Sequence, residues 1–530
     1  MILREMLGVA PDGKLAVLEA LLAGDSSIED LVAASALPRR DVEEFLEVVD
    51  GLEGDRSQLL ASYRASRAVV RPEDEPDLER AAAALIAGAP KPRKRFDHVQ
   101  ATPGTLVRRV KWLTERFDLS GRRVLFAGDH DLTSLLLAQV VPDAELTVAD
   151  IDEDLLTYVD SAGEGRVRCG SVRCVWADFR FGLPPALAES ADVVFTDPPY
   201  TPEGLGLFLS RSVSALRREE PGARIVVAYG HSRRRPDLGV AAQSEITRQN
   251  VVIDAMLPGF NRYDGAQAVG SASDLYCLAP APTAFRCGGA TPLPVGIYTH
   301  GSQSVESTGS SPADLAPLLA RLAASGTVGV VSPGSGAFPD IAVRIGLGKL
   351  LADGVHPSVT GRADEIVVDL RDDPGPWLTR AMLALNAPRS VFVIPSRPET
   401  LARLMSGAPE WTLPRAKFES LSPAPSGDTV AIRCELAPED TDDPGLALTR
   451  YVLHRAHGKL SNVWREGLVT LAAARGLTLA KRAASEQVDE AATTAGCAND
   501  LPLRLIDVPA ARFPSLHAAL RASATNTPGP

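Results

Sequence analysis

Val124-Leu125-Phe126-Ala127-Gly128-Asp129-His130-Asp131-Leu132-Thr133-Ser134 is the stretch that decides the fold. Its apolar run predicts a buried strand, and the single glycine lets the chain turn sharply into a helix over 132–141. The same unit recurs C-terminally: strand 146–150, helix 154–159, strands 172–177 and 193–196, helix 204–216 and strand 225–229. Short apolar strands alternating with amphipathic helices predict an α/β fold, a parallel sheet with helices on both faces. Such sheets bind ligands at the carboxyl ends of their strands.

Acids stand at those ends. The first turn holds Gly128 and no second glycine, so it is not a dinucleotide GxGxxG loop. Asp150 closes the second strand about 20 residues past that turn, where an acid accepts hydrogen bonds from ribose hydroxyls. Asp178, just past the third strand, is placed to contact an adenine. Asp150 and Asp178 can also serve simply as caps of the segments they precede. Asp197-Pro198-Pro199-Tyr200 follows the fourth strand. Its two prolines stiffen the backbone, so the carboxylate and the ring are held with little entropy left to lose. Asp197 there can orient an amine nucleophile and take its proton, and the Tyr200 ring can pack on a cationic substrate.

Three segments together resemble the branched-chain polyamine synthases, the N4-bis(aminopropyl)spermidine synthases. Gly128-Asp129-His130-Asp131-Leu132-Thr133-Ser134 is similar to that family's Gly-Asp-Asp-Asp-Leu-Thr-Ser element. Thr196 to Gly204, followed by Leu207-Phe208-Leu209-Ser210-Arg211, resembles its longer signature. Ala101-Thr102-Pro103-Gly104-Thr105, followed by Val107-Arg108-Arg109, resembles its first conserved segment. The resemblance spans residues 1–285. It implies a winged-helix-like module at 1–70 and a Rossmann-like, class I methyltransferase-type domain at 96–285, joined by a linker at 71–95. It implies aminopropyl transfer from decarboxylated S-adenosylmethionine to an amine of a polyamine such as spermidine. Asp197 and Tyr200 are then the catalytic pair. Asp129, Asp131, Pro198 and Pro199 bind substrate, and Gly128, Asp150 and Asp178 bind the donor, with no metal. His130 replaces the middle acid of the triplet, which removes a negative charge at neutral pH; this changes amine recognition if position 130 faces the polyamine and is tolerated if it faces away. Transfer of a methyl or another alkyl group from intact S-adenosylmethionine, and a non-catalytic ligand-sensing regulator, are the alternatives.

The remaining sequence bounds the reading. At 530 residues the chain is long enough for about three domains. Residues 1–57 read as helix-turn-helix but hold 13 acids against 5 lysines and arginines, a surface that phosphates would repel. A packing or homodimerising role is expected there, not nucleic-acid binding. The net charge of −12 points the same way. Residues 291–520 read as a further α/β unit, a diverged copy of the middle one without residue-level repeats. Its expected elements are strands 327–332, 365–370 and 390–394 and helices 340–351, 377–385 and 451–475. Gly334-Ser335-Gly336 lacks a P-loop lysine, and His454 with His457 makes at most half a metal site. A disordered tail is expected over 521–530. Six scattered cysteines, no leader-like start and no apolar run of about 18 residues predict a cytoplasmic protein with free thiols and no membrane span.

Overall fold

The computed structural model describes residues 2–24, 27–52, 55–165, 172–220, 222–231, 234–265, 270–287, 296–334, 338, 341–397, 402–404 and 406–525. The strands of its first half are β1 (Gln100–Ala101), β2 (Arg123–Ala127), β3 (Glu145–Asp150), β4 (Arg173–Trp176), β5 (Val193–Thr196), β6 (Arg224–Tyr229), β7 (Val251–Asp264) and β8 (Ala272–Pro280). They form one sheet in the order β1-β7-β8-β6-β5-β2-β3-β4. Strands β2 to β6 run parallel, and β8, β7 and β1 close the edge antiparallel. The order reverses between β2 and β5, which puts the ligand crevice beyond Ala127 and Thr196. The central strands are apolar because both their faces are covered: Val124, Phe126, Val148, Val194 and Ile225 are all buried. The β7–β8 hairpin was not expected from the sequence. Much of β7 is exposed, so it lacks the apolar run by which the buried strands are recognised.

The N-terminal segment is five helices, Ile2–Leu7, Asp12–Ala23, Ile28–Ser35, Arg39–Asp50 and Arg56–Ser66, around Leu7, Val17, Phe45, Val49 and Tyr63. Contrary to the winged-helix expectation, residues 1–70 hold no strand among the described residues. Asp55 accepts hydrogen bonds from Ser57 and Gln58 N–H, and Leu60 and Tyr63 are buried, so a capped helix stands where a wing would begin. The module docks on its own chain through Arg4–Asp118 and through Arg67, which donates to the carbonyls of Thr114, Glu115 and Phe117. The segment 71–95 is packed, not a free linker. Helix Glu75–Gly88 sends Ala82 and Leu85 into the main core, and Arg93 pairs with Asp152 and Asp154.

The C-terminal half builds a second sheet from β9 (Val328–Ser332), β10 (Val343–Gly346), β11 (Glu365–Asp369), β12 (Arg389–Pro395), β13 (Phe418–Ser426) and β14 (Thr429–Leu436). Its order is β10-β9-β11-β12-β14-β13, with the first four parallel and the last two antiparallel. That is the wiring of β3-β2-β5-β6-β8-β7, lacking counterparts of β4 and β1. The helix expected over 340–351 begins only at Leu347. Val343 and Ile345 are buried while Arg344 and Gly346 are exposed, a period of two that makes β10. The helix expected over 451–475 is two, Pro444–Leu453 and Leu460–Ala474, with Gly458 in the break. The expected tail is helical to Thr525, because Ser523 and Ala524 are buried and Ser523 accepts from Trp464 Nε1. Residues 526–530, and Ser335 and Gly336 of the glycine loop, lie outside the described residues. His454 and His457 are engaged by Glu439 and by the Leu350 carbonyl. No helix among the described residues is long and apolar enough to cross a membrane.

The two halves share a core. Phe126 and Phe195 of the first sheet belong to the same buried cluster as Leu448, Trp464 and Phe513. At the seam the fully buried Arg380 donates to the carbonyls of Ile506 and Val508, pairs with Glu153, and lies 4.5 Å over the Trp176 ring. Removing one member of a buried, hydrogen-bonded pair leaves the other uncompensated. Arg380→Met is expected to lower stability by about 3–5 kcal/mol in urea unfolding. A loss below about 0.5 kcal/mol, the range of ordinary surface changes, would show that Arg380 does not hold the halves together.

Candidate active site

Every residue singled out from the sequence lines one cavity at the carboxyl ends of β2, β3, β4 and β5: Gly128, Asp129, Asp131, Asp150, Asp178, Asp197, Pro198, Pro199 and Tyr200. Counted out to its mouth, with open solvent included, the space is about 790 Å³. The turn out of β2 needs Gly128 at φ 73°, and it carries the buried Leu132 at φ 63° as well. A non-glycine residue held there is strained, a feature that clusters at functional sites.

The acids are held in different ways. Asp129 accepts from the N–H groups of Thr133 and Ser134 at the start of helix Thr133–Val140. Asp131 accepts from Ala101 N–H and from Arg109 Nη1, the latter at 2.7 Å. Asp150 accepts from the N–H groups of Asp129 and Asp152. Asp178 caps the short helix Phe179–Phe181 and is gripped by the Arg180 guanidinium. From the other half of the chain, Trp377 Nε1 donates to Asp178 Oδ2 at 2.8 Å. Capping and cavity lining thus coincide in Asp129 and Asp178.

Asp197 sits just past β5. Arg109 Nη2 and the Tyr263 hydroxyl both donate to its Oδ2, each at 2.8 Å. Arg109 is fully buried and also bonds Asn261 Oδ1, so one guanidinium ties Asp131 to Asp197 and both to β7. The Tyr200 ring stacks on Tyr229 at 5.6 Å and meets Tyr263 edge-on. Thr201 then caps helix Pro202–Ala215 and donates to the Ile297 carbonyl, which fixes the backbone beyond the prolines. Burial pushes the Asp197 carboxyl up to about 7, with Arg109 opposing and Asp131 adding to the rise. Burial likewise lifts Asp129 to about 8 and Asp150 to about 7. His130 lines the cavity and stacks on His98 at 4.2 Å. Burial lowers the pKa of both imidazoles, so they stay neutral at pH 7.

Sequence reasoning missed Arg109, Tyr263, His98, Arg180 and Trp377. For Arg109 a signal existed. It shares one helix face with Leu106, Val110 and Leu113, and a charge on an apolar stripe marks a buried ion pair. The others come from distant segments without a local pattern.

The strand order, with acids at successive parallel-strand ends around one cavity, defines a Rossmann-like fold of the methyltransferase type. Residues 77–275 match the branched-chain polyamine synthase A C-terminal domain family. The uncharacterized protein MJ0675 of Methanocaldococcus jannaschii is 40% identical over 177 residues, 33% of this chain and 43% of that protein. The N(4)-bis(aminopropyl)spermidine synthase of the same organism is 29% identical over 182 residues, 34% of this chain and 51% of the relative. The chain therefore spans about half the length of the curated relatives it matches. A crystal structure of the Thermus thermophilus branched-chain polyamine synthase, in complex with N4-aminopropylspermidine and 5′-methylthioadenosine, aligns with 51% of this chain and 87% of its own. Its identity is 22% and its TM-score 0.34.

Arg109→Met would leave Asp131 and Asp197 facing each other without a cation. A stability loss of about 3–5 kcal/mol is expected at pH 8. Burial already raises the Asp197 carboxyl above its unfolded value and Arg109 opposes that rise, so without Arg109 the folded state binds more protons and the loss shrinks as pH falls. Urea unfolding at pH 5 and pH 8 checks this, and an equal loss at both would contradict it.

Proposed function

We propose that this chain transfers an aminopropyl group from decarboxylated S-adenosylmethionine to an amine of a polyamine such as spermidine, giving a branched-chain polyamine. The observation that carries the reading is Asp197, held by Arg109 and Tyr263 through Oδ2 in a cavity lined by six aspartates and one arginine. The family match over residues 77–275 supports the same reaction.

Both reactants are cations, a sulfonium and a polyamine, and a carboxylate-rich pocket compensates charges that would otherwise be costly to bury. Asp150 is the group to hold the ribose. Asp178, gripped by Arg180 and Trp377, flanks the adenine. In the transfer, the amine lone pair attacks the aminopropyl carbon bonded to sulfur. The C–N bond forms as the C–S bond breaks, the electron pair stays on sulfur, and neutral 5′-methylthioadenosine leaves. Asp197 accepts the proton given up by the attacking nitrogen, and Oδ1 is the oxygen not used by Arg109 or Tyr263. Positioning two reactants in line supplies most of the acceleration, and the base adds to it. Tyr200, backed by Tyr229, offers its ring to the cationic amine. Neutral His130 gives one ammonium group of a polyamine no acidic partner, so acceptor preference is the property in which this chain departs most from the acidic triplet.

The test is incubation with decarboxylated or intact donor and a panel of linear amines, followed by mass spectrometry. Aminopropyl addition is expected with the decarboxylated donor only; product gaining just a methyl group overturns the reading. Asp197→Asn should fold normally and lose about 10²-fold or more in turnover. Turnover equal to wild type would remove Asp197 from the role of base. Because the base must be ionised and its carboxyl is pushed up to about 7, kcat should fall as pH drops through 7. A profile flat from pH 8 to 6 would contradict the assignment.

A further inference from the structure

A second cavity lies at the seam, where Ile151 to Asp154 after β3 face Gly375 to Thr379 after β11. It is about 1460 Å³ counted out to its mouth, and it lies at the carboxyl ends of strands from both sheets, where open α/β sheets take ligands. Its charges are unequal in their pairing. Arg93 is taken by Asp152 and Asp154, and Arg403 by Glu410. Lys94, Arg95 and Arg397, which also line it, form no ion pair among the described residues. Arg95 Nε is buried without a hydrogen-bond partner, and Arg397 donates to the Asp373 carbonyl. The two guanidiniums come from opposite halves of the chain and converge. A Cβ built on Gly375 would lie 3.1 Å from Arg95 Nη2 and 3.7 Å from Arg397 Nη1. Burial, Arg93 and Arg397 push the Arg95 guanidinium below its ordinary range, outweighing the opposing pull of Asp152 and Asp373.

We infer that this seam binds a compact oxyanion, a phosphate or carboxylate group of a small molecule, held between Lys94, Arg95 and Arg397. Two guanidinium forks and an ammonium suit the several oxygens of such a group. Bound there, the anion neutralises the facing cations and bridges the halves. It also sits one ring away from the candidate active site. Phe96 lies 5.1 Å beneath the Arg95 guanidinium and lines both cavities. This site stands independently of the reaction proposed for the first cavity.

Calorimetric titration of the full chain with pyrophosphate and, separately, with citrate tests it at physiological ionic strength. Saturable binding of at least one probe is expected. Pyrophosphate alone identifies a phosphate site, citrate alone a carboxylate site, and both a general oxyanion site. Arg95→Ser combined with Arg397→Ser should weaken binding about tenfold or more, while Arg482→Ser, on an exposed helix elsewhere, leaves it unchanged. Should the double variant fail to fold, the single variants Lys94→Ala and Arg397→Lys carry the test, and each must weaken binding. No saturable binding of either probe, or binding unaltered in the seam variants, overturns the inference.

Discussion

A guanidinium with no exposure to water lies between two carboxylates, and much of the first half is arranged around it. Arg109 reaches Asp131 in the turn after β2, Asp197 after β5, and Asn261 and Tyr263 on β7. A buried cation is tolerated only with its charge and its donors satisfied, so these three segments are fixed to one another and to the helix that carries Arg109. The same constraint explains why the antiparallel strand β7 belongs to the site. It brings the tyrosine that shares the Asp197 oxygen with Arg109. The Asp197 carboxylate is thereby held in one orientation by two donors.

The second half repeats the strand wiring of the first and turns its own strand ends toward it. Asp373 follows β11 much as Asp197 follows β5, but its carboxylate accepts from the N–H groups of Gly375, Trp377 and Leu378. The residue it positions, Trp377, reaches across to Asp178. The second half thus forms part of the wall behind Asp178. Residues 297–303 extend that wall: the Ile297 carbonyl holds Thr201, and Gln303 accepts from Arg180.

What was legible in the sequence follows from range. Asp150, Asp178 and Asp197 stand directly after runs of buried apolar residues, so strand pattern alone located them. Asp129 and Asp131 lie in the turn that Gly128 permits. The partners of these acids were not legible. Arg109 is 88 residues from Asp197, and Trp377 is 199 residues from Asp178, and no local periodicity reports such pairings. The parallel strands were found because covering on both faces forces continuous apolarity. The exposed strand β7 carries no such mark, and β10 was misread because it runs directly into a helix. The absent wing was read from the helix-turn-helix pattern of the first helices and from likeness, whereas Asp55 caps a helix over residues 56–66 that buries Leu60 and Tyr63.

The shared core has a consequence for how this chain can be divided. Trp176 at the end of β4 is covered by Arg380, and the helix after β3 is pinned by Glu153 to Arg380 and to Ala510 N–H. A cut after residue 285 would strip that cover and open a broad apolar flank to water. The family's domain can be delimited in the sequence here, but in three dimensions its outer wall is supplied by residues more than two hundred positions downstream.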